Sequence, residues 1–160
     1  MFLEKKIQPS ATAEIKGSEK YRSIRGKVDL YDTYGGTILV AAIYGIPGEI
    51  TEKSGGFHGF HIHDGGSCTG NVSDPFAEAG QHYNPKKLPH PEHAGDLPPI
   101  LSSNGTAWMA VYTTRFYPEE VIGKTIILHD KPDDFHSQPS GNSGEKIACG
   151  EIVVWDKDMR

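Results

Sequence analysis

The sequence predicts an all-β fold. Two observations carry that expectation: short runs rich in β-branched and aromatic residues recur between clusters of turn residues, and no window of a dozen residues keeps its apolar positions at a helical period. Eight strands are expected, near residues 12–16, 23–32, 37–46, 57–63, 98–101, 105–113, 124–130 and 147–154. In the second, Ile24, Gly26, Val28 and Leu30 share one face while Arg25, Lys27 and Asp29 share the other, the alternation of a sheet with one wet side. Gly35-Gly36 reads as the hairpin connection to the third strand, which holds the longest apolar run, residues 38–44. In the fourth, period-two geometry puts His61 and His63 on one face and His58, Phe60 and Ile62 on the other. Residues 119–122 are expected to form a single helical turn. Two stretches, 64–96 and 131–146, interrupt the regular strand spacing as long loops rich in Pro, Gly, Ser and Asp. Loops of that length in a compact domain are usually functional or disordered, so an ordered version needs something to hold it.

Length and composition narrow the function. The 160 residues fit one domain, taken as 1–160 with one core. Hydrophobic residues make up 36%, and with glycine counted the apolar share approaches the globular norm of about 45–50%, which sets disorder aside. A net charge of -5 without a Lys/Arg run argues against nucleic acid or an anionic membrane surface as partner. No apolar stretch reaches the ~18–20 residues of a membrane helix, so no membrane partner is expected. The opening MFLEKKIQPS has no apolar core of a signal peptide. The expected location is therefore cytoplasmic if the chain is complete as given, and extracytoplasmic if it is a processed mature form. Cys68 and Cys149 are too few for a disulfide scaffold and too far apart for a metal knuckle. They form a bridge or are two independent thiols.

The histidines carry the chemistry. Six of the eight (His58, His61, His63, His82, His90, His93) cluster in the middle of the chain. His61 and His63, two imidazoles on one strand face, can hold one ion. Downstream, His82, His90 and His93 supply nitrogens at offsets 0, 8 and 11, and Asp96 supplies an oxygen at 14. Three His and one Asp complete a tetrahedral zinc site with no open position, the structural pattern. Such a site would keep the first long loop folded, because metal-binding free energy appears as folding free energy.

At this point the sequence resembles the copper/zinc superoxide dismutases. Five segments in family order carry the resemblance across nearly the whole chain: GFHGFHIHD (56–64), AGQHYNP (79–85), HAGDLP (93–98), IGKTIILHDKPDD (122–134) and GNSGEKIACGE (141–151). The resemblance implies a flattened eight-stranded Greek-key β-barrel, sandwich-like, with the metals outside the barrel wall beneath the two long loops. It implies copper on His61, His63, His82 and His129, zinc on His82, His90, His93 and Asp96, and His82 as the imidazolate bridging the two. Asp133 matches the carboxylate that links a copper-ligand histidine (His61) to a zinc-ligand histidine (His90) and orients both rings. Cys68 and Cys149 match the family's intrasubunit disulfide, a crosslink over about 80 residues worth roughly 4–5 kcal/mol in the chain-entropy model. His58 matches a structural histidine, in keeping with its core-facing parity, and His136 matches no ligand.

The implied substrate is superoxide, dismutated to dioxygen and hydrogen peroxide at a redox-cycling copper, with His82 relaying a proton. A homodimer is compatible with the resemblance, and no surface patch in the sequence decides it. One position departs from the family pattern. Three residues before the second cysteine the family usually carries an arginine that guides the anion, and here stands Lys146 beside Glu145. Lysine keeps the charge without the planar donor fork, so activity is expected at a lower rate. The competing reading is a non-catalytic copper-binding or copper-delivering protein on the same fold. Delivery would favour a Cys-x-Cys or Met-rich site, whereas Met1, Met109 and Met159 are scattered, and a degenerate module would have lost a copper ligand. A zinc-only structural role is the third reading.

Overall fold

The computed structural model describes residues 7–158. Nine strands form one antiparallel sheet: β1 (Ala11–Gly17), β2 (Arg25–Thr33), β3 (Gly36–Tyr44), β4 (Phe57–His58), β5 (Phe60–His63), β6 (Ile100–Ser103), β7 (Thr106–Thr113), β8 (Thr125–His129) and β9 (Lys146–Val154). Their order is β4-β6-β7-β3-β2-β1-β9-β8-β5. The two end strands, β4 and β5, are consecutive in sequence, parted only by Gly59. Phe57 and His58 pair with Leu101 and Ile100 at one edge, and Phe60–His63 pair with β8 at the other. That single segment joins the two edges and rolls the sheet into a nearly closed barrel, which leaves little unpaired edge. The all-β barrel expected from sequence is thus present, with nine strands in place of eight because the segment 57–63 divides at Gly59.

Other expectations shift by small, explicable amounts. Thr33 pairs directly with Gly36, so the hairpin turn is Tyr34-Gly35, with Gly35 at φ 88°, and Gly36 already belongs to β3. The strand expected at 98–101 starts at Ile100, since Pro98 and Pro99 have no N–H for the ladder. A seven-residue helix absent from the sequence reading, α1 (Gly48–Ser54), lies between β3 and β4, capped by Gly55 in the left-handed conformation. The turn expected at 119–122 is α2 (Pro118–Val121), closed by a capping box between Tyr117 and Glu120. No helix among the described residues is long and apolar enough to cross a membrane.

Period two builds the interior. Val28, Leu30, Leu39, Ala41, Ile43, Phe60, Ile62, Ile126, Leu128 and Ile152 are fully buried in the main core. The intervening residues of β5 and β8 face the other way, so His61, His63 and His129 stand outside the barrel wall. Ile127 and Cys149 point to that outer side too, and with Phe76 and Ala79 they form a small second cluster against which Cys68 packs. Cys68 and Cys149 are joined, with Cα atoms 5.7 Å apart across a separation of 81 residues.

Candidate metal centre

The long loop between β5 and β6 is ordered by running beside β5. Tyr83 N–H donates to Ile62 O (2.8 Å), Ile62 N–H to Gly95 O (2.9 Å), and Asp64 N–H to Gln81 O (2.8 Å). Isolated bridges set His63 opposite His82 and His61 opposite Asp96. These backbone bonds carry residues distant in sequence onto the strand that presents His61 and His63. The second long loop, between β8 and β9, closes over this layer. Asp133 Oδ2 accepts from His61 Nε2 (2.7 Å), and Oδ1 accepts from His90 Nε2 (2.9 Å) and from the Phe135 N–H (2.7 Å). Gly141 makes room for this: a Cβ there would run into the Asp133 carboxylate and the His90 ring.

Two clusters result, and they share one ring. In the first, His61, His63, His82 and His129 each offer a ligand atom, all within 4.8 Å of one another; in the second, His82, His90, His93 and Asp96 do the same. Every imidazole of the two clusters is buried. In the first cluster one nitrogen of each ring is engaged and the other is left without a partner. His61 Nε2 is held by Asp133, His63 Nδ1 donates to Gly80 O (2.8 Å), His129 Nδ1 to Gly144 O (3.4 Å), and His82 Nδ1 lies 2.7 Å from Asp96 Oδ1. Left over are His61 Nδ1, His63 Nε2, His82 Nε2 and His129 Nε2, all buried and without a hydrogen bond. Buried polar atoms are nearly always satisfied, so four orphaned nitrogens in one place fit a cation, with the opposite ring nitrogens fixed as metal ligands usually are.

In the second cluster His82 Nδ1 and His93 Nδ1 are 3.4 Å apart, and Asp96 Oδ2 lies 3.0 Å from His90 Nδ1 and 3.2 Å from His93 Nδ1. Tetrahedral arms of about 2.0–2.1 Å give ligand separations of ~3.4 Å. Although 3.0 Å from Asp96 Oδ2, His90 Nδ1 makes no hydrogen bond. The donor set, three imidazoles and a carboxylate, suits zinc, and four imidazoles suit copper in either oxidation state.

The electrostatics disfavour protonation of His61, His63, His93 and His129. Burial, then the neighbouring His82, pushes His63 down to about 3. Burial followed by the charges of His61 and His63 takes His129 well below the ordinary histidine value, and burial also lowers His61 against the pull of Asp133. For Asp133, burial works upward, but hydrogen bonds from His61, the Phe135 N–H and His90 outweigh it and hold the carboxyl well below the usual range. Asp96 is lowered the same way, its burial offset by His82, His90 and His93.

The seven expected ligands meet here, with Asp133 beside them. His58 lies apart, buried between the His129 carbonyl (3.2 Å) and the Ser102 hydroxyl (2.8 Å), and His136 is an exposed loop residue next to Asp134. Lys146 pairs with His129 across a β-bulge and sends its ammonium to Asp74 Oδ2 (2.6 Å). Three further residues had no sequence signal. Gln138 clamps the second loop to the first, accepting from His90 N–H (2.9 Å) and donating to His90 O (2.7 Å). Arg115 Nη1 donates to the carbonyls of Pro91 and His93, each at 2.9 Å. Asp74 is the third.

A buried double cluster of this kind on a nearly closed antiparallel barrel defines a two-metal class of β-barrel protein. Comparison with known proteins makes the class specific: the family described as copper/zinc superoxide dismutase matches residues 24–152, and this chain belongs to that family. The chain is 32% identical over 146 residues to superoxide dismutase [Cu-Zn] 3 of Arabidopsis thaliana, covering 81% of this chain and 83% of that protein. It is 28% identical over 153 residues to the extracellular superoxide dismutase [Cu-Zn] of Rattus norvegicus, covering 90% of this chain and spanning 59% of the rat protein's length. Among solved structures, the Cu/Zn superoxide dismutase from Brucella abortus superposes with a TM-score of 0.73 at 25% identity, covering 88% of this chain and 98% of that one. Copper and zinc are the cofactors that this membership and the two clusters support.

Proposed function

We propose that this chain is a superoxide dismutase, with copper held by His61, His63, His82 and His129 and zinc by His82, His90, His93 and Asp96. The supporting observation is the His82 ring, which turns Nδ1 into one cluster and Nε2 into the other. When bound, copper supplies the one-electron chemistry that oxidises one superoxide to dioxygen and reduces a second, which leaves with two protons as hydrogen peroxide, while redox-inert zinc fixes the far side of His82.

The protein's own groups do the rest. His82 Nε2 is the buried basic atom able to hold a proton between the two halves of the reaction and release it in the second. Asp133 fixes the rings of His61 and His90 together, so the two clusters keep a common geometry. Lys146 is the cation beside His129 that would meet the anion at the cluster, doing so with a point charge where a guanidinium would offer a fork.

The test combines metal content with superoxide decay. Full occupancy of both metals and rapid decay are expected of the wild type. His129→Ala should abolish turnover and leave zinc bound. Undiminished dismutation by that variant would refute the copper assignment, and copper bound without any turnover in the wild type would favour a copper-handling protein.

A further inference from the structure

The ammonium of Lys146 has a fixed partner. Nζ donates to Asp74 Oδ2 at 2.6 Å and to the Phe76 carbonyl at 3.2 Å, and the side chain is only 17% exposed. The nearby carboxylates are taken up elsewhere: Glu145 pairs with Lys20 at 3.1 Å, and Asp130 Oδ1 accepts from the Glu145 N–H. Asp74 is built into its turn. Oδ1 accepts from the Phe76 N–H (3.1 Å), its own N–H donates to Asn71 Oδ1 (3.0 Å), and its carbonyl accepts from the N–H of Asn71 (2.9 Å) and Ala77 (3.2 Å). The Phe76 ring is packed with Ala79, Ile127 and Cys149 beside the disulfide. The carboxylate therefore cannot swing aside without undoing the turn that seats Phe76.

From this arrangement we infer that Asp74 is a positioning residue for Lys146, holding the ammonium beside the first cluster while neutralising most of its long-range field. The inference rests on the dismutase reading above. A flexible four-carbon stem ending in a compact charge needs an external anchor. Here the anchor carries the opposite charge, and a cation with an anion 2.6 Å away acts at a distance as a dipole, whose field decays faster than that of a single charge. What remains at short range still reaches the cluster, because Lys146 pairs with the cluster residue His129 across β8 and β9. An approaching anion thus meets weak steering from afar and a positioned ammonium on arrival.

Asp74→Asn separates the two roles, because it keeps an acceptor oxygen of the same size and removes the charge. Azide serves as the probe, its binding followed through the ε-methylene NMR signals of Lys146 in the metal-loaded protein held reduced. Relative to wild type, Asp74→Asn should bind azide about two- to tenfold tighter, react with superoxide faster by a similar factor, and lose that gain as salt screens the freed charge. Asp74→Glu should restore wild-type affinity and salt dependence. Unchanged azide affinity in a folded Asp74→Asn would overturn the inference, as would a Lys146 signal in wild type that shows no protection of its ammonium protons from solvent. Tighter azide binding by Asp74→Asn in a protein that consumes no superoxide would leave the ion pair's role standing and remove the dismutase reading instead.

Discussion

The barrel and the two loops that cover it are stabilised by different physics. Inside the barrel, Leu39, Ile43, Phe60, Ile62 and Ile126 are buried in one continuous apolar core, and the strands that carry them need only period two and a turn. The loop layer adds a small apolar cluster with the outer side of the wall, at Phe76, Ala79, Ile127 and Cys149, and inserts Tyr83 and Leu97 into the main core. Much of the rest of its order comes from point ties: the Cys68–Cys149 bond, the Asp133 fork, the Gln138 clamp, the Arg115 donors and the two histidine clusters. The barrel thus rests mainly on its apolar core, whereas the loops add covalent and ionic links, and the candidate chemistry sits where those links converge.

The sharpest way to break that contrast is to remove the metals. Chelation should lower Tm by on the order of 10–30 °C, with hydrogen exchange accelerating in residues 64–99 and 130–145 and staying slow in β2, β3 and β7. Uniform loosening of strands and loops would erase the distinction. The disulfide comes next. Replacing both Cys68 and Cys149 by serine should cost about 4–5 kcal/mol in the chain-entropy account, measured by denaturant unfolding, with the first loop again the region whose exchange changes most.

Acid supplies a third probe, applied to metal-free protein. With His63 pushed down to about 3, the unfolded chain binds a proton that the folded chain refuses throughout the window between that value and the ordinary histidine pKa near 6.5. Stability should therefore be constant above that window and fall as pH drops through it, by on the order of 5 kcal/mol at most, levelling off below. Stability that rises on acidification would contradict a buried neutral His63. A smaller effect is expected from Asp133→Asn, which keeps the shape but weakens the hold on His61 and His90. Zinc affinity should drop about 10–100-fold, read by competition with a chelator, while the metal-independent stability of the barrel changes little.

The same contrast explains what could be read from the sequence. The alternation in residues 23–32, the face shared by His61 and His63, and the inward parity of His58, Phe60 and Ile62 are local consequences of strand geometry, and all appear in the fold. The spacing of His82, His90, His93 and Asp96 was legible because ligand residue types are rare in such density. The division at Gly59 was not, since a glycine inside a β-rich run does not announce that its two sides pair with opposite edges of the sheet. The helix Gly48–Ser54 buries only Ile50 and Ser54, too few positions to display a period. Asp74, Arg115 and Gln138 act through loop folding over long sequence separations, and a polar residue in a polar loop carries no mark of its eventual partner.

The central claim is that His82 joins two different ions through its two ring nitrogens. Anomalous diffraction at the copper and zinc edges, on crystals of protein supplied with both metals, tests it directly. Copper on the Nε2 side of His82, among His61, His63 and His129, with zinc on the Nδ1 side among His90, His93 and Asp96, is the expected result. A single metal type in both positions, or a His82 ring that contacts only one ion, would contradict it.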